Sequence, residues 1–114
     1  MVNGIKGCIL LMALLLAGCG GEPRSSEVTL AVLAANAEAH DGSRVVTEGV
    51  VRHFEEPLHY WIEDEDLNRV ELFPHDAIAP HLGERVRVEG QFAFSREEGR
   101  RLTLERVEVL AMAD

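Results

Sequence analysis

The chain has 114 residues, a net charge of −9 and 27% charged residues. That length is enough for one small domain and too little for two substantial cores. The acidic balance argues against a protein that tracks a phosphate backbone, which needs a basic stripe.

The N-terminus carries the most specific pattern. A short start with one cation, Lys6, leads into an apolar run from Ile9 to Leu16, followed by Ala17, Gly18 and Cys19. A positive start, an apolar centre and small residues before a cut site are the parts of an export signal. The run is too short for a spanning helix, which needs about 20 apolar residues. Leu16-Ala17-Gly18-Cys19 resembles the lipobox of bacterial lipoproteins at all of its positions. The resemblance implies that the Cys19 thiol receives a diacylglyceryl group, that the chain is cut before it, and that the new amine takes a further acyl chain such as palmitate. On this reading residues 1–18 are a lipoprotein signal peptide, 19–26 a lipidated N-terminus and linker, and 27–114 the folded domain. Cys8 leaves with the signal and Cys19 carries lipid, so no disulfide is expected and the domain must rely on packing. Two or three acyl chains make an effectively permanent anchor, since each buried methylene contributes about 0.8 kcal/mol. Gly20 stands where an aspartate would hold a lipoprotein at the inner membrane of a two-membrane cell. The pattern therefore implies the cell envelope, at the outer membrane facing the periplasm.

Gly20 to Ser26 reads as a linker, dominated by glycine, proline and serine without apolar period. Val28 to Ala39 reads as a short helix with Val28, Val32, Ala35 and Ala39 along one face, Leu30 and Leu33 nearby, and Ser26 or Thr29 as the cap. Asp41-Gly42 marks a turn. Arg44 to Phe54 reads as a long strand in which Gly49 suggests a bulge or bend. Leu58 to Glu63 is a second strand, with Leu58, Tyr60 and Ile62 alternating against His59, Trp61 and Glu63. Asp64-Glu65-Asp66 is an acidic turn. Arg69 to Phe73 is a third strand with Val70 and Leu72 inward. His75 to His81 makes one or two helical turns before Gly83. Arg85 to Phe94 gives the cleanest alternation in the chain. Ser95 to Arg100 is a charged loop. Arg101 to Leu110 is the fifth strand, whose apolar parity changes between Leu104 and Val107, as at a bulge.

Two strands open alike. Gly42-Ser43-Arg44-Val45-Val46-Thr47-Glu48-Gly49 matches Gly83-Glu84-Arg85-Val86-Arg87-Val88-Glu89-Gly90 in its glycines, arginine, valine and glutamate. Two copies are too few for a solenoid. Each supplies a turn, a β-branched entry and a glycine where a curved strand must bend.

Three strands, a short helix and two strands is the order of the OB-fold, a five-stranded Greek-key barrel. Thr47-Glu48-Gly49-Val50-Val51, Tyr60-Trp61-Ile62-Glu63-Asp64 and Val70-Glu71-Leu72 resemble the first three strands of anticodon-binding-type OB domains and of small periplasmic OB proteins. The expected fold is mainly β: this barrel, with a short N-terminal helix and a short helix between strands three and four. The matching positions mostly fill the barrel or bend its strands, so they speak for fold rather than function.

In OB domains the outer face of strands two and three, rimmed by the loops after strands one and four, is the usual binding surface. The resemblance places His59, Trp61, Glu63, Arg69, Glu71 and Phe73 on that face, with Arg52 and His53 beside it. A tryptophan with histidine and arginine near it can stack a base, a sugar or a peptide aromatic; the alternative is that Trp61 covers the barrel end or packs under the N-terminal helix. His53, His59, His75 and His81 lack the spacing of a zinc motif, and the acidic turn lacks the spaced ligands of a calcium loop. No nucleophile elbow or glycine-rich phosphate loop occurs, nor the haem-attaching motif of periplasmic OB haem chaperones. The expectation is a non-enzymatic, membrane-anchored envelope lipoprotein without metal or cofactor, whose OB domain binds a protein or small ligand. Oligonucleotide binding by the same barrel is the alternative, disfavoured by charge.

Overall fold

The computed structural model describes residues 24–112, with side chains up to Leu110; the lipobox and Cys19 lie outside the described residues. The fold is mainly β. Strand β1 (Ser26–Glu27) is followed by helices α1 (Leu30–Ala35) and α2 (Ala37–His40), then β2 (Arg44–Glu55), β3 (Leu58–Glu63) and β4 (Arg69–Phe73). Helix α3 (His75–Ile78) runs into a 3₁₀ turn (Ala79–His81), and β5 (Glu84–Ser95) and β6 (Gly99–Met112) close the order. Among the described residues no helix is long and apolar enough to cross a membrane.

Among the described residues the sheet has six strands where five were expected, in the order β1-β2-β3-β4-β6-β5. The sixth is the two-residue β1, whose Ser26 and Glu27 pair in parallel with Val45 and Val46. Polar residues beside a linker carry no strand signal of their own, and only the free edge of β2 recruits them. β2 changes partner along its length. Its first half, Arg44 to Val50, pairs antiparallel with β5, and its second half, Val50 to Glu55, with β3. β3 and β4 form an antiparallel hairpin, and β4 runs parallel to β6 through Glu71, Leu72 and Phe73. This arrangement is OB-like.

The core is built from the inward positions that alternation predicts: Val45 and Val51, Ile62, Val70 and Leu72, Val86, Val88 and Phe92, and Leu102. Leu30, Leu33 and Ala37 from the two N-terminal helices and Ile78 from α3 complete it. The helical face differs from the expected one. Val32, Ala35 and Ala39 are exposed, while Leu30 and Leu33 are buried. In Leu-Ala-Val-Leu-Ala-Ala every position is apolar, so periodicity cannot choose a face and side-chain size does. Thr29 is the cap, accepting from the Val32 amide at 3.2 Å, whereas Ser26 belongs to β1. The expected single helix is interrupted at Asn36, whose amide donates to the Val32 carbonyl at 2.8 Å and closes the first segment.

Both glycine predictions have a steric basis. A Cβ on Gly90 would lie 2.1 Å from the Thr103 carbonyl oxygen. Opposite Gly90, β6 slips register: Glu89 pairs with Arg106 but Gly90 with Leu104, leaving Glu105 as the extra residue of a bulge. A Cβ on Gly49 would lie 2.9 Å from Leu30 Cδ1 and 3.0 Å from the Glu63 carbonyl oxygen. Gly49 is therefore where α1 seats on the sheet, at the turn end of the β3–β4 hairpin. Helix α3 follows Phe73 at the hairpin's other end.

Candidate functional site

Strands β3 and β4 present their odd-numbered side chains on the face away from the core. Cross-strand register sets them in rows: Arg52 beside Trp61 beside Glu71, Glu63 beside Arg69, and Phe54 beside His59. The parallel pairing of β4 with β6 extends the middle row to Arg101.

Trp61 is the centre of this face. Its indole is half-buried, and its Nε1–H donates to Glu63 Oε1 at 2.9 Å. The Arg69 guanidinium lies over the ring, 4.6 Å from the centroid, a cation–π contact of about 0.5–1 kcal/mol at such a site. The His59 ring stands on the same side, 5.2 Å away centroid to centroid, and is held by a 2.8 Å contact from Nδ1 to the Pro57 carbonyl. Beyond it Phe54 adds a third aromatic side chain, 5.9 Å from His59. Glu63 joins the set electrostatically. Arg69 Nη2 is 3.3 Å from its Oε1 and Arg52 Nε 3.4 Å from its Oε2. At 15% side-chain exposure, Glu63 is well shielded, and one carboxylate thereby meets the indole and both guanidiniums.

An open groove of about 230 Å³ runs beside Trp61, bounded by His59, Arg69 and Glu71 on the hairpin, by Glu98 in the β5–β6 turn and by Gly99 and Arg100 at the start of β6. Arg100 is tied across the groove, its Nε donating to the Arg69 carbonyl at 2.9 Å. Its neighbour Arg101 pairs with Glu98 at 2.7 Å. Of the eight residues expected on or beside this face, His59, Trp61, Glu63, Arg69, Glu71 and Arg52 share it. Trp61 lies on the open sheet, with Arg69 over its ring and the His59 ring tilted beside it at 32°. Beyond the expected rim formed by the loop after strand four, the site takes in Glu98, Arg100 and Arg101, which the sequence does not mark. The parallel β4–β6 pairing brings them in, and no local pattern in either strand announces it.

His53 does not belong to this face. It stacks on Tyr60 at 5.5 Å with rings 22° apart, and Tyr60 meets His75 at 5.5 Å. His53 and Tyr60 have inward parity, and His75 opens α3 beside them. Phe73 links the two regions: it stacks on His75 at 5.6 Å and has the Arg101 guanidinium 6.0 Å from its centroid. In the acidic turn, Asp64 is occupied by its own loop. Its Oδ1 accepts from the amides of Asp66 and Asn68, both at 2.9 Å, and its Oδ2 from Asn68 Nδ2 at 2.9 Å. Slight burial raises the Asp64 pKa, but the hydrogen bonds from Asn68 and Asp66 outweigh it and hold the carboxyl below its ordinary value.

No protein-family model matches the chain, and no curated protein matches it. Among solved structures, the chain is similar to a proposed aspartyl-tRNA synthetase from Leishmania major Friedlin, with a TM-score of 0.55 and 9% identity over 84% of its length. It spans 23% of the synthetase chain. At that identity the likeness concerns the fold alone, and it agrees with an OB-like domain. Fold and face together define the class: a small, mainly β, OB-like domain with an aromatic, charge-paired outer face.

Proposed function

We propose that the chain is a membrane-anchored envelope lipoprotein whose five-stranded OB barrel binds a protein or small ligand. The pairings support the barrel: β2–β3–β4–β6–β5 returns to β2, with β1 as an appended edge. The observation that carries the binding reading is the array of Trp61, Arg69, His59 and Glu63 beside a groove, on the face OB barrels use for recognition. Arg69 already covers Trp61, so a ligand is received by stacking on an ordered aromatic–guanidinium surface. Such surfaces recur at interaction hot spots, where tryptophan and arginine are enriched. The Cys19 lipobox supplies the address, and no catalytic role is assigned.

Cross-linking with formaldehyde in the native host tests this reading. The wild-type chain should give a discrete adduct that Trp61→Ala and Arg69→Ala variants lose while keeping the wild-type circular dichroism spectrum. Identical adducts from all three would remove the face from the function. The synthetase likeness keeps oligonucleotide binding as the rival. Retention of single-stranded oligonucleotides on a filter at low salt would establish it, and the acidic chain is expected to show none.

A further inference from the structure

Among the described residues, one side of β6 has no strand partner beyond Thr103. β4 leaves it where Phe73 pairs with Thr103, while β5 accompanies it from Gly99 to Met112. Among the described residues, no strand pairs with the other side of residues 104–112. Such an edge is a row of unpaired backbone donors and acceptors, a template for another strand.

Bulges and charges usually blunt an edge of this kind, and β6 has register shifts beside Glu105 and Leu110. Between them, however, Arg106, Val107, Glu108 and Val109 hold regular register with Glu89, Val88, Arg87 and Val86. The charges there are of opposite sign and flank Val107 symmetrically. In a two-fold antiparallel strand pair the axis must pass between two copies of one residue. An axis at Arg106 or at Glu108 sets like charges opposite each other. An axis at Val107 sets Arg106 opposite the partner's Glu108, twice. Among the described residues neither Arg106 nor Glu108 has an ion-pair partner. Val109 and Leu110, at 46% and 40% exposure, are among the most exposed large apolar residues of the domain.

We propose that β6 pairs with β6 of a second copy of this chain, antiparallel about an axis at Val107. The interface is isologous and closes as a dimer. It joins the two sheets edge to edge and leaves the Trp61 face of each copy open, so it stands independently of the ligand reading.

The full chain tests this by mass measurement and cross-linking. Wild type should be a dimer in light scattering at micromolar concentration, after subtraction of any detergent. Arg106→Glu sets acids against acids and should weaken the dimer at least about tenfold. The swap Arg106→Glu with Glu108→Arg rebuilds both pairs in the same register and should restore it. Val107→Cys should cross-link on mild oxidation above the wild-type baseline, since directly opposed Cβ atoms lie about 4.5–5.5 Å apart. A monomeric wild type overturns the proposal. So does a dimer indifferent to Arg106→Glu, a swap that fails to restore it, or a Val107→Cys chain that cross-links no more than wild type.

Discussion

Gly90 shows most sharply what a single residue must do here. Its missing side chain lets the Thr103 carbonyl come to 2.1 Å from where a Cβ would be. The contact is with backbone, which cannot rotate away as a side-chain tip can. Gly90→Ala is therefore expected to push β6 off β5 and cost about 1–3 kcal/mol, read as a lower urea midpoint with an unchanged m-value. A midpoint equal to wild type would mean that the bulge at Glu105 is soft. Gly42 differs in kind. Its need is conformational, with φ at +87° and open space around it, so substitution there strains the turn rather than the packing. Trp61 is the opposite case of a residue whose surroundings exceed what its own identity demands: it is satisfied by Glu63, covered by Arg69 and flanked by His59 before any ligand arrives.

At the scale of elements, the β3–β4 hairpin depends on its turn. Asp64 gathers three donors across a loop in which Leu67 adopts a positive φ of 64°. Asp64→Ala should cost about 1 kcal/mol at neutral pH, since several modest hydrogen bonds are lost at an accessible site. The sign with pH follows from the lowered carboxyl pKa. The contribution is fully present above the ordinary aspartate value of about 3.9. It is lost as pH falls through the lower, folded value. Denaturation of wild type and variant at pH 7 and near pH 3 should thus show a gap that narrows in acid; a constant gap would assign the effect to the backbone rather than the charge. The same hairpin also orders the candidate site, because Glu63 and Arg69, paired across it, are the last residues before the turn and the first after it.

At the scale of the molecule, the repeated words find their meaning. The two copies pair with each other antiparallel: Val45 meets Gly90 and Gly49 meets Val86. The turns that open them are fastened equivalently, with the Gly42 amide donating to the Phe92 carbonyl at 2.8 Å and the Gly83 amide to the Val51 carbonyl at 2.9 Å. A local two-fold axis relates these strands, so one short pattern serves both. The address belongs to this scale too. Cys19→Ala expressed in the native host should move the chain from the membrane to the soluble fraction, because the proposed acyl chains supply the anchor. A variant that stays with the membrane would remove the lipid from the account.

What the amino-acid sequence determined by itself was short in range. The strands of residues 44–110, the turns at Gly42 and Gly83, the inward Val86, Val88 and Phe92, and the parity change in the last strand all follow from neighbours a few residues apart. Alternation and turn chemistry are local, and each residue carries its own share of them. The candidate face was legible only in part: alternation put His59, Trp61 and Glu63 on one side of their strand, and the OB resemblance, not the parity, implied that this side is the outer one. The tertiary structure alone decided the rest. It chose Leu30 and Leu33 over Val32 in a helix that is apolar on all sides, recruited Ser26 and Glu27 to the edge of β2, separated His53 from Trp61, and set Arg100 and Arg101 beside the groove. These outcomes depend on which segments meet across the chain: β4 on β6, and α1 on Gly49. Such meetings are settled by the burial and backbone pairing of the whole sheet, a sum to which no single stretch of sequence holds the terms.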